Sequence, residues 1–277
     1  MLTTSDHNRA IQGMVYVYPV ISRRAKGLSI GINLSVNNTC NWSCVYCQVP
    51  GLSRGVPPLV DFEMLERELR SFLHEVTDGH FMEQNVPEEY RRLVDIAFSG
   101  NGEPTNSKDF PRAVECAFRV LQEFRLLDSV KVRLITNGSF MHRETTRQGI
   151  TLIGQQNGEV WFKVDRCTEA GIKRVHRVRM NPEQVKKSLL VCCNHAPTWI
   201  QTCCFFYDGK APDQHEVQAY LVFLEDVKDK IKGVHLYGIA RLSMRPEAKR
   251  LSLAPKDNVL KFAQLISSAG VKVVVNA

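Results

Sequence analysis

The sequence of 277 residues lacks the features that mark membrane and exported proteins. It contains no run of 18 or more apolar residues, so we expect no transmembrane helix. The first stretch, MLTTSDHNRAIQG, has no basic region followed by an apolar one, so no signal peptide is indicated. We therefore expect a cytoplasmic protein, whose reduced cysteines are more often metal-binding or catalytic than disulfide-bonded.

Internal repeats, low-complexity tracts and linkers rich in serine and glycine are also absent from the sequence. The composition, with 44% hydrophobic and 23% charged residues, is that of an ordinary globular protein. A formal net charge of +7 permits an anionic substrate or a nucleic acid but indicates neither by itself. The odd number of cysteines, nine, argues against a complete disulfide framework.

Segments typical of strands and of helices alternate about six times along the chain. The apolar runs that predict strands begin at Leu28, Leu93, Val130, Gly158, Thr198 and Gly233. The segments that predict helices begin at Asp61, Ser107, Arg143, Pro182, Gln214 and Pro255. This alternation predicts an α/β protein with a parallel sheet and crossover helices. We expect a partial (β/α)6 TIM-like barrel; a complete eight-stranded barrel and a doubly wound sheet are the alternatives.

The expected barrel divides the chain into three parts. Residues 1–27 are predicted to form an N-terminal extension, residues 28–254 the core barrel, and residues 255–277 a C-terminal helix and strand. In such barrels the functional groups gather where strands end and loops begin. The loops after the predicted strands are therefore the places to search for a site.

Three cysteines lie within eight residues, in the segment CNWSCVYCQ after the first predicted strand. Cys40, Cys44 and Cys47 have the spacing C-x3-C-x2-C. Soft thiolates suit iron–sulfur clusters and zinc. A cubane cluster normally takes four thiolates, so three would leave one iron open for a substrate or cofactor.

This spacing, with Tyr46 before the last cysteine, resembles the motif of radical S-adenosylmethionine (SAM) enzymes. In that superfamily three thiolates hold a [4Fe–4S] cluster, and the amino and carboxylate groups of SAM bind the fourth iron. Reduction cleaves the bound SAM and releases a 5′-deoxyadenosyl radical, which abstracts hydrogen from the substrate. The resemblance implies that Cys40, Cys44 and Cys47 are the cluster ligands and that Tyr46 belongs to the cofactor site.

The segment FSGNGEPT, after the second predicted strand, resembles the superfamily's Gly-Gly-Glu-like turn, which binds the methionine amino group of SAM. The resemblance implies that Gly100, Asn101, Gly102 and Glu103 contact the cofactor. Glycines let the backbone approach a ligand closely, and carboxylate and carbonyl oxygens accept hydrogen bonds from an ammonium group. An ordinary turn between strand and helix is the alternative.

Polar residues also end the third and fourth predicted strands. Asn137 resembles superfamily positions near the ribose and methionyl groups, although a simple turn explains it equally well. Lys163 and Asp165 alternate with apolar residues, so both face inward if Phe162 and Val164 face the helices. Because inward charges are costly unless paired or used, we expect both to contact cofactor or substrate, with a salt bridge as the alternative.

The partners are an unknown substrate and an electron donor. Arg241, Arg245 and a basic loop at residues 167–179 suit an anionic substrate, for which RNA is one candidate; solvated basic loops are the alternative. The length argues against an attached reductase domain, so we expect an external donor such as flavodoxin or ferredoxin. No catalytic acid or base is identified.

The segments YPVISRRAKGLSIGINLS, CVYCQ and FSGNGEPT resemble most the subgroup of wyosine-type tRNA synthase-like iron–sulfur proteins. The wyosine synthases use additional cysteines upstream of the radical motif, whereas this sequence has no cysteine before Cys40. The resemblance to the subgroup therefore does not extend to its tRNA-modifying activity.

Two other functions fit the cysteines. One is a zinc-bearing binding module, which would need a fourth ligand from the candidates His74, Cys116 and Cys167. The other is a superfamily member that binds the cluster without turnover. The remaining thiols are interpreted as small buried hydrophobes, with an auxiliary cluster as the alternative, and they are Cys167, Cys192, Cys193, Cys203 and Cys204.

Overall fold

The structure is a computed structural model that describes residues 2–3 and 13–276. Its strands are β1 (Val17–Ser22), β2 (Gly27–Asn33), β3 (Thr39–Cys40), β4 (Ser53–Arg54), β5 (Leu93–Ser99), β6 (Lys131–Thr136), β7 (Glu159–Lys163), β8 (Thr198–Tyr207), β9 (Val234–Gly238), β10 (Leu251–Leu253) and β11 (Val273–Asn276). Its α-helices are α1 (Phe62–Thr77), α2 (Phe81–Asn85), α3 (Phe110–Glu123), α4 (Glu144–Gln155), α5 (Glu169–His176), α6 (Pro182–His195), α7 (Gln214–Val227) and α8 (Lys256–Ser268). Short 3-10 helices lie at Glu88–Tyr90, Pro104–Asn106 and Pro246–Arg250.

One curled sheet forms an open half-barrel with the strand order β1-β2-β5-β6-β7-β8-β9-β11. Neighbours from β2 to β11 run parallel, whereas β1 pairs with β2 and β10 pairs with β8 in antiparallel fashion. The predicted partial TIM-like barrel is confirmed. Strands β1 and β11 extend the sheet from the predicted terminal segments, and the boundaries at residues 27 and 254 stay a prediction.

The helices cover the outer face of the sheet, and α1 shows why they form. The Asp61 carboxylate caps its first turn by accepting a hydrogen bond from the Met64 amide at 3.0 Å. Its buried side chains recur at helical spacing, as predicted, and are Leu65, Leu69, Phe72, Leu73 and Val76. Within the described ranges, no helix combines the length and the apolar character needed to span a membrane.

The two faces of the strands differ in chemistry, as the alternation of β7 illustrates. Phe162 and Val164 are buried in the core between sheet and helices, which confirms the predicted outward orientation. Trp161 and Lys163 point to the other side, into the half-barrel. The sheet therefore presents an apolar surface to the helices and a polar surface to its concave side.

The basic stretch at residues 167–179, predicted to be a loop, instead contains helix α5. Thr168 caps this helix by accepting a hydrogen bond from Gly171, and the chain leaves it at Arg177 in a left-handed conformation (φ 59°). The helix has only eight residues, and the basic residues of its last turn hide the buried Ile172 and Val175 in the sequence pattern. The loop prediction was wrong because tertiary packing stabilises a helix too short to be recognised locally.

We predict that core packing against α1 dominates the stability of the fold. Leu69 is fully buried, so Leu69→Ala should lower the free energy of unfolding by about 2–5 kcal/mol. Leu265→Ala removes the same atoms from a side chain that is 47% exposed, so it should change the free energy of unfolding by less than about 0.5 kcal/mol. Urea unfolding of both variants measures the difference, and equal losses would contradict the packing described.

Candidate cofactor-binding site

A cavity of about 340 Å³ lies on the concave side of the sheet. The predicted site residues that line it are Cys40, Cys44, Tyr46, Cys47, Gly100, Asn101, Gly102, Glu103, Asn137 and Lys163. Asp165, the remaining one, is buried but does not line this cavity. The carboxyl ends of the parallel strands have brought together segments that are more than 100 residues apart.

The cysteine loop, which we define as residues 34–52, is held in place by the end of helix α5. The Ser43 amide donates a hydrogen bond to the His176 carbonyl oxygen at 3.2 Å. The Val45 amide donates to the Val175 carbonyl oxygen at 2.9 Å. The helix that the sequence analysis missed is therefore a support of the cysteine loop.

A second support comes from the segment after β9. Ser243 Oγ donates to the Val45 carbonyl oxygen at 2.6 Å, and the Met244 amide donates to that of Cys47 at 2.8 Å. Arg245, which we had considered for substrate binding, donates from Nη2 to Ser43 Oγ at 2.8 Å. The guanidinium of Arg245 thus has a structural role in the loop.

The thiols of the loop lie in a buried environment. The Trp42 amide donates to Cys40 Sγ at 3.4 Å, and His176 Nδ1 lies 3.3 Å from Cys44 Sγ. Burial raises the pKa of Cys40 to about 11 and raises that of Cys44 further. Burial thus favours the neutral thiols of Cys40 and Cys44, and a positively charged centre beside them would favour their thiolates.

The part of the cavity wall that the structure describes includes the three thiols of the cysteine loop. They are Cys40, Cys44 and Cys47, and none of the candidates for a fourth zinc ligand lines the cavity with them, namely His74, Cys116 and Cys167. Three thiolates are the ligands that a cubane cluster with one open iron would take, whereas a structural zinc site takes four ligands. These residues thus fit the cluster that the resemblance implies.

The glycines after β5 allow that turn to pack against the cysteine loop. A Cβ atom on Gly102 would lie 2.0 Å from the Thr39 carbonyl oxygen. On Gly100, whose φ is +130°, it would lie 2.4 Å from Asn33 Oδ1. We expected glycines here so that the backbone could approach a ligand closely. Gly102 also lets it approach the backbone of the cysteine loop at Thr39.

Side-chain amides join the cysteine loop to the ends of β5 and β6. Asn101 donates from its backbone to Asn33 Oδ1 at 3.0 Å and from Nδ2 to Asn38 Oδ1 at 2.6 Å. Asn137 Nδ2 donates to Asn41 Oδ1 at 2.9 Å. Both predicted residues thus help to fix the loop beside the cavity.

Glu103 is buried, with 3% of its surface exposed, and connects the same elements. Its Oε1 accepts hydrogen bonds from the Thr105 amide at 3.2 Å and from the Thr105 and Thr136 hydroxyls at 2.6 Å. Its Oε2 accepts one, from the Asn137 amide at 2.6 Å. Burial raises the pKa of Glu103 while these bonds oppose the shift, and no described cation forms a salt bridge with it.

Lys163 and Asp165 are linked through Tyr46. Lys163 Nζ donates to the Tyr46 hydroxyl at 2.9 Å, and that hydroxyl donates to Asp165 Oδ2. The Cys203 amide donates to Asp165 Oδ1 at 2.7 Å, and His176 Nε2 lies 3.6 Å from Oδ2. Burial disfavours the Asp165 carboxylate, but the charge of Lys163 and the hydrogen bonds from the Cys203 amide and the Tyr46 hydroxyl outweigh it and lower its pKa. The alternative to cofactor contact, an interaction between Lys163 and Asp165, is thus present, with the Tyr46 hydroxyl as the bridge. Tyr46 and Lys163 line the cavity, whereas Asp165 does not.

His176 was not selected by sequence reasoning, which counted it only as part of a basic loop. It is buried against the Trp42 ring, with centroids 4.5 Å apart. Burial lowers its pKa to about 4, so the ring is neutral at neutral pH. Its position between Cys44 and Asp165 had no local signal in the sequence.

The exposed basic residues near the mouth of the half-barrel are largely paired. Arg177 forms a salt bridge with Glu247, and Asp208 forms salt bridges with Arg250 at 2.6 Å and Arg174 at 3.6 Å. This pairing reduces the positive potential that would attract an RNA.

The other cysteines do not gather at one place. Cys203 lines the central cavity and, together with Cys204, a second cavity of about 210 Å³ between β8 and helices α7 and α8. Cys192 is buried on α6 and contacts Met141. Neither cavity is lined by three of these thiols.

No protein-family model matches the chain. A protein named GTPase Obg from Brachyspira hyodysenteriae is 26% identical over 134 residues, which are 48% of this chain and 17% of that protein. UPF0026 protein MJ1312 from Methanocaldococcus jannaschii is 29% identical over 160 residues, 57% of this chain and 43% of that protein. The chain thus spans less than half the length of these relatives. Its sequence contains no G-x-x-x-x-G-K-[ST] segment, the phosphate-binding motif of P-loop GTPases.

Solved structures resemble the whole half-barrel. A radical SAM methyltransferase from Sphaerobacter thermophilus matches with a TM-score of 0.62 and 12% identity, over 96% of this chain and 71% of that one. Spore photoproduct lyase matches with a TM-score of 0.55 and 8% identity, over 99% of this chain and 79% of that one. A protein named anSMEcpe, solved with bound SAM, matches with a TM-score of 0.54 and 15% identity, over 89% of this chain and 63% of that one. The chain has the fold of radical SAM enzymes.

We predict that Gly102→Ala disrupts the contact between the β5 turn and the cysteine loop. Because its Cβ would overlap the Thr39 carbonyl oxygen, the free energy of unfolding should fall by about 1–3 kcal/mol. Gly238→Ala is the matched control, since no atom lies within 4 Å of its added Cβ. Urea unfolding compares the two, and a Gly102 variant as stable as the control would contradict the packing of this turn.

Proposed function

We propose that this protein is a radical SAM enzyme that uses a [4Fe–4S] cluster to cleave SAM reductively. The observation that carries the proposal is that Cys40, Cys44 and Cys47 line one cavity with the Gly100–Glu103 turn. This cavity lies at the carboxyl ends of the strands, where barrels of this kind place their chemistry.

In this proposal Cys40, Cys44 and Cys47 hold the cluster. When bound, the cluster supplies the electron that cleaves SAM to a 5′-deoxyadenosyl radical. The chain supplies the surroundings: the Trp42 amide donates to Cys40 Sγ, and His176 lies against Cys44 Sγ. Hydrogen bonds of this kind stabilise thiolates and tune a cluster's potential.

The cofactor end of the cavity is proposed to lie at Glu103. This carboxylate is buried without a salt-bridge partner among the described residues, and its Oε2 accepts only one hydrogen bond. The ammonium group of SAM would supply the missing charge. Gly100, Asn101 and Gly102 add backbone carbonyl oxygens to the same wall.

Asn137, Tyr46 and Lys163 are proposed to complete the cofactor-binding wall, since all three line the cavity. Asp165 takes part indirectly, because it fixes the Tyr46 hydroxyl that Lys163 also contacts. The charges of Lys163 and Asp165 are matched through Tyr46, so neither is left as a single buried charge.

The radical would abstract hydrogen from an anionic substrate, with electrons from an external donor such as flavodoxin or ferredoxin in a reducing compartment. Whether the outcome is of the oxidoreductase, lyase or transferase type is not assigned. The resemblance to wyosine-type tRNA synthase-like proteins and an RNA substrate both stay predictions. Zinc binding and cluster binding without turnover are the competing functions.

We predict that the protein, purified and reconstituted without oxygen, contains about four irons and four sulfides per chain, the content of one [4Fe–4S] cluster. Cys40→Ser, Cys44→Ser and Cys47→Ser should each lose most of this iron. Cys193→Ser is the control, since this partly buried thiol on α6 lies outside the cavity. Reduced wild-type protein should convert SAM to 5′-deoxyadenosine.

Each competing function has its own result. Zinc without sulfide would overturn the proposal in favour of a zinc-binding module. Iron and sulfide without 5′-deoxyadenosine would indicate a cluster-binding protein that does not turn over. If the Cys193 control lost as much iron as the other variants, the assignment of Cys40, Cys44 and Cys47 as the cluster ligands would be contradicted.

A further inference from the structure

We infer that Arg24 is the binding residue for a carboxylate or phosphate group of the substrate. It lines the central cavity. This inference deepens the proposed function and rests on it, because it names the chemical group that the substrate presents. Neither Arg24 nor its contacts entered the cofactor site described above.

Arg24 lies in the turn between β1 and β2 and reaches across the open side of the half-barrel. The turn is closed by the Lys26 amide, which donates to the Ser22 carbonyl oxygen at 2.8 Å with Lys26 in a left-handed conformation (φ 55°). The Arg24 guanidinium carbon lies 4.6 Å from the centroid of the Trp161 ring and 4.7 Å from that of Tyr237. One side chain therefore joins the β1–β2 turn to β7 and β9.

The guanidinium is fixed in orientation. Its Nη1 donates to Gln201 Oε1, and Gln201 Nε2 donates to the Trp161 carbonyl oxygen at 3.1 Å. The amide of Gln201 is thus oriented by the backbone and presents its oxygen to Arg24. Two aromatic faces and one hydrogen bond hold a planar donor group in advance of ligand binding, which lowers the entropy cost of recognition.

Arg24 differs from Arg133 and Lys163, two other cations that line the cavity, because no carboxylate of the described residues lies at salt-bridge distance from it. Arg133 forms salt bridges with Asp95 and with Glu159. Lys163 is linked to Asp165 through Tyr46. In the part of the chain that the structure describes, no carboxylate forms a salt bridge with Arg24, and its hydrogen-bond acceptor is the neutral amide of Gln201.

An unmatched guanidinium inside a cavity is costly, and an anionic ligand would remove the cost. Burial lowers the pKa of Arg24, and the more distant carboxylate of Asp95 opposes this shift only in part. A guanidinium has five N–H donors, and only one hydrogen bond from it is present among the described residues. Carboxylate and phosphate oxygens match this fork of donors. Arg23, which also lines the cavity, adds positive potential from the same turn.

The position of Arg24 favours a substrate group over the carboxylate of SAM. Glu103 follows the carboxyl end of β5, whereas Arg24 leaves the turn at the amino end of β2 and contacts residues of β7, β8 and β9. Tyr237 connects Arg24 to the site, since its hydroxyl lies 3.5 Å from Lys163 Nζ. An anion bound at Arg24 would thus lie beside the cofactor wall without occupying it.

Calorimetric titration of the reconstituted full chain with inorganic phosphate and with acetate tests the inference. Arg24→Gln should weaken binding of these probes at least about tenfold, the loss expected for a charge-assisted hydrogen bond. Arg67→Gln, which removes an exposed charge on α1, should leave it unchanged. Gln201→Glu is a second variant: the new carboxylate would pair with Arg24 inside the folded protein and should also abolish binding.

The affinity for SAM, measured on the same samples, separates the two sources of the anion. Unchanged affinity for SAM in Arg24→Gln supports a substrate site. A tenfold loss for SAM, with no change for phosphate or acetate, would overturn it and assign the guanidinium to the carboxylate of the cofactor. Equal phosphate binding by wild type, Arg24→Gln and Gln201→Glu would also overturn it.

The inference and the proposed function fail in different ways. Phosphate binding that depends on Arg24, in a protein that assembles no iron–sulfur cluster, would support the anion site while refuting the radical SAM proposal. A protein that forms the cluster and cleaves SAM but shows no Arg24-dependent binding would refute the anion site alone.

Discussion

The candidate site depends on hydrogen bonds that hold the cysteine loop from distant parts of the chain. The loop has only the two-residue strands β3 and β4 as regular structure, so it cannot fix three thiols by itself. The end of α5 and the segment after β9 bind its backbone, and amides from the ends of β5 and β6 complete its support. These supports follow parallel strands, so the position of the thiols requires the assembled half-barrel.

The charged side chains on the concave face fall into paired groups and charges without a salt-bridge partner. Asp95, Arg133 and Glu159 form one group of matched charges, and Lys163 and Asp165 form another through Tyr46. In a medium of low dielectric constant such matched groups are tolerated, whereas single charges are costly. Glu103 follows β5, whereas Arg23 and Arg24 lie in the β1–β2 turn, and none of the three forms a salt bridge within the described part of the chain. The cavity would therefore suit a ligand that brings a cation to Glu103 and an anion to this turn.

Local sequence patterns predicted the fold, and all but one of the residues proposed for the site line one cavity. The features that were missed have a common physical cause. The alternation around Phe162 correctly placed Lys163 on the concave face, and the spacing of Cys40, Cys44 and Cys47 placed them at the end of a strand. Helix α5, His176 and the contacts of Arg245 depend on tertiary packing between segments far apart in sequence. Periodicity carries no information on such contacts. Arg24 looked like an ordinary turn residue for the same reason, because the rings that hold it lie on β7 and β9.

The most direct test of the central claim, that three thiolates hold a cluster with one iron open to SAM, is electron paramagnetic resonance of the reduced protein. The account predicts the signal of a reduced [4Fe–4S] cluster in the reconstituted protein, and a clear change of that signal when SAM is added, because the cofactor binds the open iron. A cluster signal that SAM leaves unchanged would contradict the account, since it would mean that the fourth iron already has a protein ligand.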